Sequence, residues 1–294
     1  MTGCTVILPP KGSVAAAEVR GGGPGTRESD LLQPNAAVEG VDAVLLAGGS
    51  AHGLAAADGV VHWLSNQGRG FLTAEGRIPL VSAAVVYDLS LGEHSVFPGP
   101  DEGFAACSEA IGSIERGSIG VGVGCTVGKI LGREGWCRGG LGFASRVLSD
   151  GVNIQAIVAV NAFGDVIGED GSVIAGARHS GIFPQTLELI KQGVSHKRAF
   201  RENTTLACII TDATLDKRDT WLVARSANAG MAQAISPAAT AVDGDMTFCL
   251  SSGKRPADPF TVAAIAAEVV AAAIRDGVRK ATATESCPAF PERI

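Results

Sequence analysis

Runs of valine, isoleucine and leucine alternate along this chain with alanine-rich stretches whose apolar positions recur at helical spacing. The apolar runs are predicted to be buried strands, and alanine-rich helices have side chains small enough to pack closely on a sheet. The order of strands and helices lacks the steady alternation of a doubly wound parallel sheet. The pattern therefore predicts an α/β or α+β protein in which helix layers cover sheet. With 294 residues and 46% hydrophobic content, the chain can bury a large core.

The amino-terminal half contains three clear strand signals. The first, "VDAVLLAGGS", ends in two glycines, and Ser50 is predicted to cap a helix that stops at Gly68. The second is "IPLVSAAVVYDL", and the third is "NIQAIVAVNAFGDVI", in which Asn161 and Gly164 indicate a turn or bulge. Between these two lies "GSIGVGVGCTVGKILG", which is too rich in glycine for a stable helix and is predicted to be strand and turn.

The carboxy-terminal half begins with a short predicted helix, "FPQTLELIKQGV", and a cationic linker, "SHKRAFREN". A strand, "TTLACIITDA", follows, and a long helix is predicted to begin near Thr214. After a further strand, "DGDMTFCLSSG", the last helix is predicted to have Asp258 as its cap, Pro259 at its first position and Gly277 as its stop.

Charge and composition argue against several classes of function. A net charge of −6 without a basic cluster argues against nucleic-acid binding. No apolar run reaches the roughly 18–20 residues that span a bilayer, and the chain starts without a basic leader or apolar signal core. A soluble, cytoplasmic protein is therefore expected. Seven scattered cysteines without a CxxC pair and five isolated histidines predict buried reduced thiols, with no metal or organic cofactor.

Three glycine-rich segments are candidates for binding turns. "GGSAHG", between a strand and a helix, is predicted either to bind an anion through its backbone amides or to form a tight turn. "GCTVGKI" is not a phosphate-binding loop, because three rather than four residues separate its glycines and isoleucine follows the lysine. In "GGGPGTRESDLL", Arg27 is expected to form an ion pair with Glu28 or Asp30, or to line a pocket.

Two aspartates stand directly before the strand "MTFCLSSG". Asp243 and Asp245 are two residues apart, so that at strand spacing both carboxylates point to the same side. Like charges so close together cost free energy unless a cation, a metal or a shared proton offsets them, and this cost is tolerated mainly at functional sites. A calcium loop would need further ligands that are absent here. A surface turn is the alternative.

The stretch "RENTTLACII" places an Asn and two Thr directly before an apolar strand. A threonine hydroxyl is a useful nucleophile only beside a base, and the α-amine of an N-terminal threonine can be that base. Thr204 would acquire such an amine if its hydroxyl attacked the Asn203 carbonyl, the acyl group shifted from nitrogen to oxygen, and water hydrolysed the ester. Asn203-Thr204-Thr205 also matches a glycosylation acceptor, but glycosylation would require that the protein is secreted.

Several segments together resemble the DmpA-type aminopeptidases, the self-cleaving family that includes β-aminopeptidases and the endo-type nylon-oligomer hydrolase. They include "RGGGPGTRESDLL", "LLAGGSAHGLAAADGVVHWL", "GVGCTVGKILG", "IVAVNAFGDVI", "NTTLACIITDATL" and "AVDGDMTFCLSSG", which occur in family order over nearly the whole chain. The resemblance implies a single αββα domain over residues 1–294, similar to N-terminal nucleophile hydrolases. It also implies self-cleavage into an α chain, 1–203, and a β chain, 204–294.

The resemblance further implies the roles of the site residues. Thr204 would be the nucleophile and its free amine the general base. Tyr87 would contact the substrate or the oxyanion, Asn161 would donate to the oxyanion, and Lys129 would keep the amine neutral. The two aspartates would orient the threonine or hold a substrate ammonium. Relatives usually carry a strand ahead of "TGCTVILPP", which implies a shorter start or a different sheet edge here.

The function implied is hydrolysis of small aminoacyl, β-aminoacyl or ω-amino amides through an acyl-enzyme. The predicted partners are a small amide or peptide substrate and the two chains of one precursor, assembled as a homotetramer, with neither nucleic acid nor membrane. Two alternatives remain open from the sequence. One is an N-acyl transferase of the ornithine acetyltransferase type, and the other is a non-catalytic protein that binds an anion at "GGSAHG".

Overall fold

The computed structural model describes residues 1–110, 112–194 and 203–290. One mixed sheet contains four strands, which lie in the order β1 (Cys4–Ile7), β4 (Ala43–Ala47), β7 (Val81–Val85) and β3 (Thr26–Arg27). The central pair β4 and β7 is parallel, and the outer pairs are antiparallel. Helices α1 (Ala56–Asn66) and α2 (Pro100–Ser108) pack with this sheet, and alanine, valine and leucine side chains fill the space between α1 and the strands.

A second mixed sheet contains five strands, in the order β10 (Gly140–Val147), β11 (Asn153–Asn161), β14 (Thr204–Thr214), β16 (Met246–Pro256) and β2 (Val14–Val19). Only β14 and β16 pair in parallel within it. Helices α4 (Lys217–Ala234) and α5 (Pro259–Lys280) cover its outer face.

The inner faces of the two sheets pack against each other. Apolar side chains from both sheets meet there, including Val44 and Leu46 from one and Leu206, Phe248 and Leu250 from the other. Full burial of a side chain of this size contributes about 1.5–3 kcal/mol to the free energy of unfolding. Helices, sheet, sheet and helices therefore form four layers, which confirms the predicted αββα sandwich.

Shorter elements decorate the sandwich. They comprise the pair β5 (Phe71–Thr73) and β6 (Gly76–Ile78), the pair β8 (Thr126–Val127) and β9 (Cys137–Arg138), the trio β12 (Asp165–Ile167), β13 (Val173–Ala175) and β15 (Ile235–Ser236), and helix α3 (Thr186–Lys191). All seven cysteines are free thiols, and all except Cys4 are buried. Among the described residues, no helix combines the length and the apolar character needed to cross a membrane.

Most strands predicted from the sequence are confirmed, but the segment "GSIGVGVGCTVGKILG" forms mainly 3-10 turns (Gly120–Gly124 and Lys129–Leu131) around the two-residue strand β8. Three helix boundaries also differ. Ser50 does not cap α1, because it lies within a 3-10 turn (Ser50–Ala55) that precedes the helix. The long helix α4 begins at Lys217 rather than near Thr214, because the Asp216 side chain accepts the backbone N–H of Asp219 and caps it there. The predicted linker lies, except for Asn203, outside the described residues.

The third difference concerns the end of α5. Gly277 does not stop this helix, which continues to Lys280. A Cβ atom at Gly277 would lie 3.0 Å from the Gly142 nitrogen and 3.1 Å from the Gly140 oxygen of β10. The glycine therefore allows the helix to approach the sheet backbone closely, which is a packing requirement that a helix-stop pattern cannot reveal.

Candidate active site

Thr204 is the first residue of β14, at the end of a buried strand in the centre of the second sheet. It is only 5% exposed, and Asn203 before it is 3% exposed. In the antiparallel pair of β11 and β14, Asn161 lies directly opposite Thr204. Directly opposed residues of such a pair project to the same face of the sheet, so the strand register places these two predicted site residues side by side.

The peptide carbonyl between Asn203 and Thr204 receives two hydrogen bonds. The Thr204 hydroxyl lies 2.5 Å from the Asn203 carbonyl oxygen and donates to it. The backbone N–H of Gly244 donates to the same oxygen at 2.7 Å. A hydroxyl is thus beside the carbonyl that it would attack, and an N–H donor is already directed at the oxygen that would gain negative charge.

The acidic pair is buried immediately before β16, and each aspartate is 1% exposed. Asp245 accepts the backbone N–H groups of Thr205 at 2.6 Å and Ala239 at 2.9 Å. Asp243 accepts the backbone N–H groups of Phe163 at 3.2 Å and Thr240 at 3.0 Å. Within the described residues, no hydrogen bond joins either carboxylate to the Thr204 hydroxyl, so the pair contacts the backbone next to the threonine.

The environment of Asp245 disfavours its charged form. Burial raises the pKa of this carboxyl most, and the neighbouring charge of Asp243 raises it further. The two backbone N–H donors and the positive charge of Lys129 act in the opposite direction and lower the pKa. The influence of Lys129 means that the predicted lysine and the predicted aspartate belong to one electrostatic environment.

Lys129 is buried, with 3% exposure, in a single 3-10 turn (Lys129–Leu131). Its ammonium group donates to the Asn161 side-chain oxygen at 2.9 Å and to the Asn161 backbone oxygen at 3.2 Å. The same ammonium lies 5.7 Å from the centre of the Trp136 ring, within the range of a cation–π contact. The glycine-rich segment "GCTVGKI" therefore directs a lysine at the amide opposite Thr204.

The Asn161 side chain is held from both ends. Its oxygen accepts the backbone N–H of Thr126 at 3.0 Å in addition to the Lys129 ammonium. Its nitrogen donates to the backbone oxygen of Tyr87 at 3.0 Å. Since a primary amide has two N–H hydrogens, the second is not used in these contacts. The structure thus brings Tyr87, Lys129 and Asn161 together.

Tyr87 is half-buried and, with Asp88, Lys129 and Trp136, lines a small cavity beside Asn161. The cavity has a volume of about 10 Å³, which is room for about one water molecule. No group of His, Cys, Asp and Glu residues within the described ranges is arranged to hold a metal ion.

A backbone amide of the turn "GGSAHG" already has a hydrogen-bond partner within the chain. The backbone N–H of Gly49 donates to the Asp88 carboxylate at 2.6 Å. Asp88 is 2% exposed, and burial raises its pKa while the Gly49 hydrogen bond lowers it. The Gly49 amide of the predicted anion-binding turn therefore has an internal partner, which argues against the non-catalytic anion-binding alternative.

Two further residues differ from the sequence predictions. Arg27 pairs with Asp58 of α1 at 2.6 Å and not with Glu28 or Asp30, because the sheet places β3 near that helix. Gly244 was not predicted as a site residue. Its position between the two aspartates was visible in the sequence, but the use of its N–H group depends on tertiary structure.

Comparison with known proteins identifies a family and several relatives of this chain. The model of peptidase family S58 matches residues 1–288. An uncharacterized aminopeptidase of Mycobacterium bovis is 38% identical over 98% of this chain and 88% of its own length. A 6-aminohexanoate-oligomer endohydrolase of Paenarthrobacter ureafaciens is 30% identical over 85% of this chain and 69% of its own length.

Solved structures show the same fold at low sequence identity. A β-aminopeptidase of Burkholderia sp. has a TM-score of 0.72 and 19% identity, covering 98% of this chain and 82% of its own. An L-aminopeptidase D-Ala-esterase/amidase of Ochrobactrum anthropi, described as a variant of the Ntn hydrolase fold, has a TM-score of 0.72 and 20% identity, covering 95% and 78%. These likenesses confirm the predicted similarity to N-terminal nucleophile hydrolases.

Proposed function

Because the chain belongs to peptidase family S58, we propose that it is a self-processing amidohydrolase whose nucleophile is Thr204. The relatives that match this chain include aminopeptidases and oligomer hydrolases. The chain therefore belongs to a family of hydrolases, as the resemblance found in the sequence predicted. The assignment of the threonine and of the substrate class is the part that we add.

One observation carries the proposal: the Thr204 hydroxyl lies 2.5 Å from the oxygen of the Asn203 carbonyl. In the self-cleavage, the Thr204 oxygen bonds to the Asn203 carbonyl carbon, and the bond from that carbon to the Thr204 nitrogen breaks. The hydroxyl proton ends on the nitrogen, leaving an ester and a free amine. Water then hydrolyses the ester to an Asn203 carboxylate and restores the Thr204 hydroxyl.

The free amine then serves as the general base for substrate. Its unperturbed pKa of about 7.7–8.0 leaves a neutral fraction near pH 7, and the positive charge of Lys129 favours the neutral form further. The Asn161 amide donates to the oxyanion of the substrate, a contribution of about 3–4 kcal/mol to transition-state stabilisation in comparable sites. Tyr87 contacts the substrate, while Asp243 and Asp245 hold the backbone around the threonine.

The proposed substrates are small amides with an aminoacyl, β-aminoacyl or ω-amino acyl group. The names of the relatives support this range, because they include aminopeptidases and a 6-aminohexanoate-oligomer endohydrolase. On the family resemblance alone, we further propose that residues 1–203 and 204–294 stay together after cleavage and assemble as a homotetramer in the cytoplasm.

The test compares the wild type with Thr204→Ala and Thr204→Ser on L-, D- and β-aminoacyl p-nitroanilides and 6-aminohexanoate amides. Thr204→Ala should lower kcat/KM by about 10⁴- to 10⁶-fold, as expected for loss of a nucleophile, whereas Thr204→Ser keeps a hydroxyl and should retain activity. Undiminished hydrolysis by the alanine variant would remove Thr204 from the mechanism. Acceleration by an added amine acceptor far beyond the rate with water would assign N-acyl transfer instead.

A further inference from the structure

Three consecutive glycines, Gly21–Gly23, lie directly against the segment that carries the acidic pair. We call them the glycine strap. The strap follows β2, and its N–H groups donate to backbone oxygens of that segment: Gly21 to Asp245 at 3.1 Å, Gly22 to Thr240 at 3.3 Å and Gly23 to Asp243 at 2.9 Å. The strap therefore fixes the backbone on both sides of Gly244.

The packing between the two segments leaves no room for side chains at two strap positions. A Cβ atom at Gly21 would lie 2.3 Å from the Asp243 oxygen and 2.3 Å from the Asp245 nitrogen. At Gly22 it would lie 2.7 Å from the Ala241 oxygen. At Gly23 the nearest atom would be the Asp243 oxygen at 3.9 Å, which is an ordinary contact. Thus the first two glycines are required for the close approach, and the third is not.

Gly244 is confined in the same way on the side of the nucleophile. A Cβ atom there would lie 2.7 Å from the Thr204 hydroxyl oxygen and 2.8 Å from the Gly23 oxygen. The residue is thus packed between the strap and the threonine, and its N–H group reaches the Asn203 oxygen at 2.7 Å. That distance is within the range expected for an oxyanion donor.

We propose that the Gly244 N–H is the oxyanion donor of the self-cleavage and that the glycine strap positions it. The inference rests on the proposed function, since it requires that Thr204 attacks Asn203. As the Thr204 oxygen bonds to the Asn203 carbon, the carbonyl oxygen takes the negative charge that Gly244 stabilises. The charge returns to the carbonyl when the carbon–nitrogen bond breaks and the proton passes to the nitrogen.

The donor for substrate hydrolysis is a different group. During self-cleavage the attacked carbon is covalently bonded to the Thr204 nitrogen, whereas a substrate carbon meets the hydroxyl while that nitrogen is a free amine. The two carbonyl groups therefore occupy different positions around one hydroxyl. Among the described contacts, the Asn161 amide does not bond to the Asn203 oxygen, which is consistent with a role only in the second reaction.

The decisive variant replaces Gly244 with glycolic acid during in vitro translation, which exchanges the N–H group for an ester oxygen and adds no atom near Thr204. Self-cleavage, followed as the cut fraction by intact mass against time, should slow by about 10²- to 10³-fold. The readout is the ratio of the self-cleavage rate to turnover per cut chain, which should fall. Self-cleavage at the wild-type rate would overturn the inference.

The strap is tested by a matched pair, Gly21→Ala and Gly23→Ala. Gly21→Ala should slow self-cleavage, because its Cβ would displace the backbone next to Gly244, whereas Gly23→Ala should cut at the wild-type rate. The readout is the ratio of cleavage rate to turnover per cut chain. Equal cleavage rates in the two variants, or an equal loss of cleavage and turnover in Gly21→Ala, would overturn the positioning role.

The outcomes separate this inference from the proposed function. A wild-type chain that never cuts itself would contradict both. A wild-type chain that cuts itself at Thr204, with the glycolic acid variant cutting equally fast, would leave the proposed function standing and remove only the role of Gly244. Should Gly21→Ala fail to fold, as judged by circular dichroism, the glycolic acid variant still decides the question.

Discussion

The N–H groups of Gly49 and Gly244 both donate to oxygens of buried residues, and we propose that only the second takes part in chemistry. The Gly49 N–H contacts the Asp88 carboxylate at 2.6 Å, and the Gly244 N–H contacts the Asn203 carbonyl at 2.7 Å. The first acceptor is a buried carboxyl group of the resting fold, whose pKa burial raises. The second is a neutral peptide oxygen beside a hydroxyl and gains charge only during attack. Under the proposed mechanism, the same kind of donor is structural at Gly49 and catalytic at Gly244, according to its acceptor.

The largest expected effect concerns Asn161, the proposed oxyanion donor for substrate hydrolysis. Asn161→Asp keeps an oxygen for Thr126 and Lys129 but loses the N–H donor. Turnover should fall by about 10²- to 10³-fold, while self-cleavage should continue, because Gly244 is unchanged. Intact mass follows the cut fraction, and p-nitroanilide release follows turnover. Loss of both reactions together would mean that the two oxyanion sites are not separate.

The next effect concerns the structural amide. Asp88→Ala removes the acceptor of the buried Gly49 N–H and should lower the free energy of unfolding by about 1–3 kcal/mol. Self-cleavage should proceed as in the wild type, because this carboxylate does not contact the Asn203 carbonyl. Denaturant unfolding measures the loss, and Asp88→Asn, which keeps an acceptor oxygen, is the control with the smaller loss. Failure of the alanine variant to cut itself would contradict a purely structural role of the hydrogen bond between Gly49 and Asp88.

The third effect is a pH dependence of stability. Burial and the charge of Asp243 raise the pKa of Asp245 to about 7, above its value in the unfolded chain. The folded state therefore binds more protons between these two pKa values, so this carboxyl stabilises the fold at low pH and loses that contribution as the pH rises towards 7. The raised pKa of Asp88 acts in the same direction.

Unfolding by denaturant at several pH values between 4 and 8 tests this sign. The wild type should lose free energy of unfolding over this range relative to Asp245→Asn, in which residue 245 no longer titrates. Equal pH profiles for the two proteins would show that Asp245 does not titrate in this window.

Patterns local to the sequence predicted most of the strands and the helix layers that cover sheet. The four-layer arrangement followed from the resemblance to a family, and Thr204 as the nucleophile stays a prediction. An apolar run with a sharp polar start predicts the strand and places Thr204 at its beginning, because both signals lie within a few neighbouring residues. The resemblance to a family supplied Tyr87, Lys129 and Asn161, which the structure brings together although their separate segments give no sign of proximity.

Close approaches between distant segments could not be predicted. The glycine triplet at 21–23 was predicted only as part of a candidate binding turn, because a sequence does not say which backbone will lie against it. Gly277 looked like a helix stop for the same reason, since the strand that requires the glycine is far away along the chain. The N–H donors Gly49 and Gly244 are equally invisible, because every residue except proline has that group and only the fold selects its acceptor.

The proposed self-cleavage is tested by the intact mass of the freshly folded, denatured wild-type protein. We expect two fragments, residues 1–203 and 204–294, whose masses add up to the precursor plus one water, and a single uncut mass for Thr204→Ala. Active wild-type material that shows only the full-length mass, with Thr204 still joined to Asn203, would contradict it.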